Sequence, residues 1–165
     1  MFAALSLLSA CGGDATKTPA ESPAAPVPTP AESPKPPADS GMDAAIAVLM
    51  AKPELPEEKI EIQHILIAFK GAPRMTKVTR SRDEAKALAE KIYAEVVGGG
   101  DFDALVKEHT DDSAPGIYPL TQAGRRGMVK SFGDVGFRLK VGEIGVAPWD
   151  ATASPYGWHI IKRLK

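Results

Sequence analysis

Cysteine is almost missing from this chain: Cys11 is the only one in 165 residues. One thiol leaves no disulfide framework and no thiolate metal cluster, and the stretch that reads as folded has no cysteine to act as a nucleophile. Aromatic residues make up 6% and the formal net charge is −1, so no basic stripe interleaved with aromatics is available for nucleic acid. The charge is uneven but weak, with 3 Lys and Arg against 8 Asp and Glu through Glu58 and 17 against 13 from Lys59 onward. Long apolar runs are lacking too; Met42–Ala51 is apolar but too short to cross a bilayer. Histidine is scarce, and two of the three, His64 and His159, fall inside apolar runs. At this length one compact domain with an appendage is expected.

The front of the chain reads as that appendage. Met1–Ala10 is apolar and leads into Leu8-Ser9-Ala10-Cys11, which resembles the lipobox of bacterial lipoproteins. That resemblance implies a signal peptide over 1–11 and lipidation of Cys11. No Lys or Arg precedes the apolar run, so the true start is expected a few residues upstream; the alternative is a free cysteine in a signal peptide of another kind. Residues 12–41 carry prolines at 19, 23, 26, 28, 30, 34, 36 and 37 and little apolar surface, which predicts a disordered tether. Where extended it would reach on the order of 60–80 Å. Residues 42–58 read as a short helix, Met42–Ala51, and a linker broken by Pro53 and Pro56, with docking on the domain left open.

The folded domain is expected over 59–165. Glu61–Phe69 is short, rich in β-branched residues and closed by Lys70-Gly71-Ala72-Pro73, so it predicts a buried strand. Alternation puts Ile62, His64 and Leu66 on one face and Ile65, Ile67 and Phe69 on the other. Ser81 and Glu84 form a capping box before a helix with Ala85, Leu88, Ala89, Ile92 and Val96 in one stripe. Gly98-Gly99-Gly100 follows a helix, so it is a terminator and not a phosphate loop. Asp101 caps a second helix bearing Phe102, Leu105, Val106 and His109. The polar loop Thr110–Ser113 comes next, then a Gly- and Pro-rich stretch from Ala114 to Gly127. A third short helix runs from Ser131 through Leu139, Val141–Val146 reads as a turn and a strand, and Trp158–Leu164 is the closing strand around His159. This order indicates an α+β domain with an antiparallel sheet.

These landmarks, in this order, resemble the parvulin-type peptidyl-prolyl cis-trans isomerases from about Ile60 to Lys165. They are the His-Ile-Leu strand, the capped helix ending in glycines, Asp-Phe-Asp-Ala-Leu-Val at 101–106 and Thr-Asp-Asp-Ser at 110–113. Met128 four residues before Phe132, Leu-Lys-Val-Gly-Glu-Ile at 139–144 and the closing Tyr-Gly-Trp-His-Ile-Ile complete the set. The resemblance implies a small antiparallel sheet of about four strands covered by three to four helices. It implies that His64 and His159 face each other, that Asp112 holds the family's Asp or Cys position, and that Met128 and Phe132 receive a proline ring. Leu120 matches a third apolar pocket residue and Ser154 a hydroxyl near the second histidine. Between Ala114 and Gly127 the chain departs from the family: Gly116-Ile-Tyr-Pro-Leu-Thr stands for Gly-Gly-Asp-Leu-Gly, and Gly127 for a Gln. One wall of the pocket is therefore rearranged.

Rotation about an Xaa-Pro bond breaks nothing, so the resemblance implies no cofactor and no metal. A metal site from His64, Asp112 and His159 is conceivable by residue type, but no short ligand spacing supports it. A lone histidine in a strand is ordinarily structural, and His109 is left so. Arg74 stands alone in a basic loop that reads as solvated. Three classes stay open. One is an isomerase acting on Xaa-Pro segments of unfolded or exported proteins from a membrane anchor in the cell envelope. The others are a holdase using the same groove and an inactive surface lipoprotein. A monomer without nucleic acid is expected in each.

Overall fold

The computed structural model describes residues 41–165. Cys11 and the proline-rich stretch through residue 40 lie outside the described residues. The elements are α1 (Met42–Ala51), β1 (Lys59–Ala68), α2 (Arg82–Val97), α3 (Phe102–His109), β2 (Ile117–Thr121), α4 (Lys130–Gly136), β3 (Ile144–Ala147) and β4 (Gly157–Arg163), with a 3₁₀ turn at Arg125–Gly127 before α4. The four strands form one antiparallel sheet in the order β2-β1-β4-β3.

The period-2 pattern of β1 decides both faces. Ile65 and Ile67 pack with Ile160 and Trp158 of β4 under α2 and α3, against Ala85, Ala89, Ile92, Tyr93 and Val96. Ile62 points the other way, with Ile60, Leu120, Phe132, Val135, Phe137, Leu139 and Ile161. Helices therefore cover the sheet on both sides. The local signals act as the sequence implies: Glu84 N donates to Ser81 Oγ at 3.2 Å while Ser81 N donates to Glu84 Oε2 at 2.7 Å. The side chain of Asp101 accepts from the amides of Asp103 and Ala104 at the start of α3.

Two features differ from the element order read from the sequence. The stretch 114–127 is not one long loop, because Ile117–Thr121 pairs with Lys59–Gln63 as β2. Pro119 disguises it; β2 is an edge strand, where a missing N–H costs no ladder bond on the outer side. The third helix ends at Gly136, not Leu139, and Phe137 and Leu139 turn into the core. The helix placed ahead of the domain is also part of the packed body. Met42 joins the core under α2 and Leu49 joins the one under α4, so α1 reaches both.

Candidate functional site

Strand register brings the two histidines together. His64 lies opposite Ile161 and His159 opposite Leu66, so the imidazoles are diagonal neighbours on one face. Their Nδ1 atoms stand 3.1 Å apart and their rings are 16° from parallel. Gly157 lets β4 approach this closely: its φ is +149°, and a Cβ there would lie 2.1 Å from the carbonyl oxygen of Ile67.

Asp112 arrives by another route. Beyond Gln63 the outer edge of β1 has no strand partner among the described residues, and the chain after α3 fills the gap. Asp111 N donates to Leu66 O at 2.8 Å, Leu66 N to Thr110 Oγ1 at 3.1 Å, and Ala68 N to Asp111 Oδ2 at 2.8 Å. Asp111 also pairs with Arg80. Held in this way, the next residue places its carboxylate against His64, with His64 Nε2 at 3.0 Å from Asp112 Oδ2. The same oxygen accepts from the hydroxyl of Tyr118 at 2.9 Å.

The result is one polar line, Tyr118–Asp112–His64–His159. The hydrogen bond to His64, foremost, holds the Asp112 carboxyl well below the ordinary carboxylate range, with Tyr118 acting in the same direction and burial opposing both. Burial, followed by the neighbouring His64, lowers the pKa of His159 to about 3. Burial and then Asp112 push the Tyr118 hydroxyl up. When His64 gives its Nε2 proton to Asp112, its Nδ1 can accept from His159 Nδ1. That tautomer leaves His159 Nε2 bare, and the atom has no hydrogen-bond partner among the described residues.

Phe132, from α4, closes the floor. Its ring meets His64 edge-on at 4.9 Å between centroids, His159 at 5.4 Å and Tyr118 at 5.9 Å. Met128 and Val129 supply further apolar wall, with Leu66, Met75, Pro155 and Tyr156, around an open groove of about 650 Å³. The groove thus has an apolar seat with a hydrogen-bonded polar line along one side.

Of the residues singled out in the sequence, His64, Asp112, His159, Met128 and Phe132 all border this groove. Leu120 does not: it is buried beneath it, packed with Ile60 and Ile62 against Gly136. Ser154 is fully buried, and its hydroxyl is committed to the Gly157 carbonyl at 3.1 Å, where it shapes the turn into β4. Tyr118 was missed. It stands in the segment that departs from the family pattern, opposite Ile62 in the ladder, and strand alternation would have placed it beside His64 had β2 been recognised.

An open groove lined by two histidines on a four-stranded α+β sheet is the class of site that this fold defines. The pattern of the PPIC-type PPIase domain matches residues 46–165, and the chain belongs to that family. It is 35% identical over 106 residues to the foldase protein PrsA of a Geobacillus species, covering 63% of this chain and 31% of that one. It is 34% identical over 113 residues to the peptidyl-prolyl cis-trans isomerase pin1 of Schizosaccharomyces pombe, covering 64% and 62%. The chain thus spans about a third of the first relative and under two thirds of the second. In fold it is similar to the peptidyl-prolyl isomerase ESS1 of Candida albicans, with a TM-score of 0.57 at 21% identity over 74% of each chain.

Proposed function

We propose that this domain is a peptidyl-prolyl cis-trans isomerase that assists unfolded or exported proteins, held at a membrane of the cell envelope by a lipid on Cys11. The observation that carries the enzymatic part is the union, in one groove, of the apolar seat of Met128 and Phe132 with the Asp112–His64–His159 line. The tether rests on Leu8-Ser9-Ala10-Cys11 and the proline-rich stretch behind it. The folding role is supported by the relative named a foldase.

The barrier to Xaa-Pro rotation, about 18–20 kcal/mol, comes from amide resonance. Resonance puts partial negative charge on the carbonyl oxygen of the planar bond and withdraws it when the bond twists. A groove that seats the ring on Phe132 and holds the carbonyl near the anionic Asp112 disfavours the planar form relative to the twisted one. His64 keeps the carboxylate ionised and aimed. His159 stays neutral and fixes the proton of His64 on the side facing Asp112. Nothing in this scheme breaks a covalent bond.

The test is an exchange assay on Xaa-Pro peptides with the full chain. Acceleration that falls about tenfold or more in Asp112→Ala, about 1.4 kcal/mol of transition-state stabilisation, is the expected result. A folded chain inert towards every residue before proline would end the isomerase reading. Suppression of client aggregation by that inert chain would put the holdase in its place.

A further inference from the structure

The segment ahead of the sheet is fastened to the wall of the groove. Glu54 receives both arms of Arg125, Oε2 from Nη1 at 2.7 Å and Oε1 from Nη2 at 3.0 Å. Arg138 Nη1 adds a third bond to Glu54 Oε1 at 2.9 Å, while its Nε donates to Lys52 O at 3.0 Å. The backbone joins in, with Leu55 N donating to Phe137 O at 2.7 Å. Arg125 also pairs with Asp134 of α4, and its guanidinium lies 5.2 Å from the centre of the Phe137 ring. A forked guanidinium on a carboxylate is directional as well as attractive.

The body is shaped to receive these parts. A Cβ on Gly133 would stand 3.3 Å from Arg125 Nε and 3.5 Å from its Cβ, so the arginine lies close along α4 at this glycine. A Cβ on Gly145 would stand 2.5 Å from Leu49 Cδ2, so a glycine in β3 admits the anchor of α1. At Gly145 a side chain is missing where this fastening needs space. What is fastened matters: Arg125 begins the 3₁₀ turn that leads into Met128, and Asp134 lies two residues beyond Phe132.

We infer that residues 49–55 form a latch on the groove wall, and that Glu54 and Arg125 are positioning residues that set how Met128 and Phe132 receive proline. The inference rests on the peptide groove proposed above. Loss of the latch lets the turn and α4 shift together, which weakens the seat while Asp112 and the histidines, held by β1 and β4, keep their geometry. The effect is expected on KM, with kcat little changed.

The experiment uses the full chain with Glu54→Ala, and with Arg125→Lys as a second variant that keeps the charge but loses the fork. KM for an Xaa-Pro peptide is expected to rise roughly three- to tenfold with kcat within about twofold in both. Backbone amide exchange should quicken over residues 125–136 and stay unchanged in β1 and β4, a readout that needs no enzymatic activity. Glu54→Gln, which keeps one acceptor, should fall between wild type and Glu54→Ala. Unchanged exchange over 125–136, or a fall in kcat at constant KM, overturns the latch. A wild-type chain without isomerase activity would fail the groove reading instead, and the exchange result would still decide the fastening.

Discussion

A carboxylate, a phenol and two imidazoles share their protons along one line, so no member can be removed in isolation. Asp112 sits on a polar loop, where a substitution ordinarily costs little. Here its loss leaves the buried Nε2 of His64 unpaired, and Asp112→Ala is expected to lower stability by about 1–3 kcal/mol in a denaturant titration. Tyr118→Phe keeps the ring against Phe132 and removes one donor, so peptide binding is expected to hold while the rate falls a few-fold. His159 supplies a pH signature. An unfolded chain takes up its proton near the ordinary 6.5, the folded chain only near 3. Between those values the unfolded state binds more protons, so stability is full above the upper one and declines as pH falls, by at most about 1.4 kcal/mol per unit. Thermal midpoints of His159→Gln are expected to decline less steeply than wild type over that window. The Asp112 contribution has the same sign in a lower window, present above its ordinary 3.8 and lost as pH drops further. The polar members His64, Asp112 and His159 were legible because each stands in a recognisable run. Tyr118 was not, because Pro119 beside it reads as a strand breaker and only an edge position makes it tolerable.

Among the elements, α1 differs most from its sequence. Its apolar residues run nearly all round, with no stripe to announce a buried side, yet Met42 and Leu49 are two turns apart and share the face that packs. Leu49 fills the notch at Gly145, and Leu49→Ala is expected to cost about 2–5 kcal/mol. Val48, 63% exposed on the same helix, should tolerate alanine with a change within about 0.5 kcal/mol. Thermal melts of the two variants, run together, check the docking. β1, β4 and α2 were legible because strand alternation and the capping box are local signals. The packing of α1 was not, since what it fills is a glycine almost a hundred residues away.

For the whole molecule, the proposed tether and the packed body divide the work of location and chemistry. Cys11→Ser is expected to move the mature chain out of the detergent phase, or to leave it unprocessed, without altering its melting temperature; partitioning and mass spectrometry test this. A chain starting at Gly41 should melt like the full one, whereas one starting at Lys59 should melt lower because Met42 and Leu49 leave both cores. The central ladder carries a further consequence, one of timing. His64 and His159 are 95 residues apart in the chain, and they meet only when β4 is laid against β1. Pairings that close so long a loop are entropically costly and slow to form. Helices α2 and α3 are local and can be present well before that moment, but a half-folded copy has a carboxylate and one imidazole and no groove. The groove is therefore assembled late and all at once, when β4 has been laid against β1.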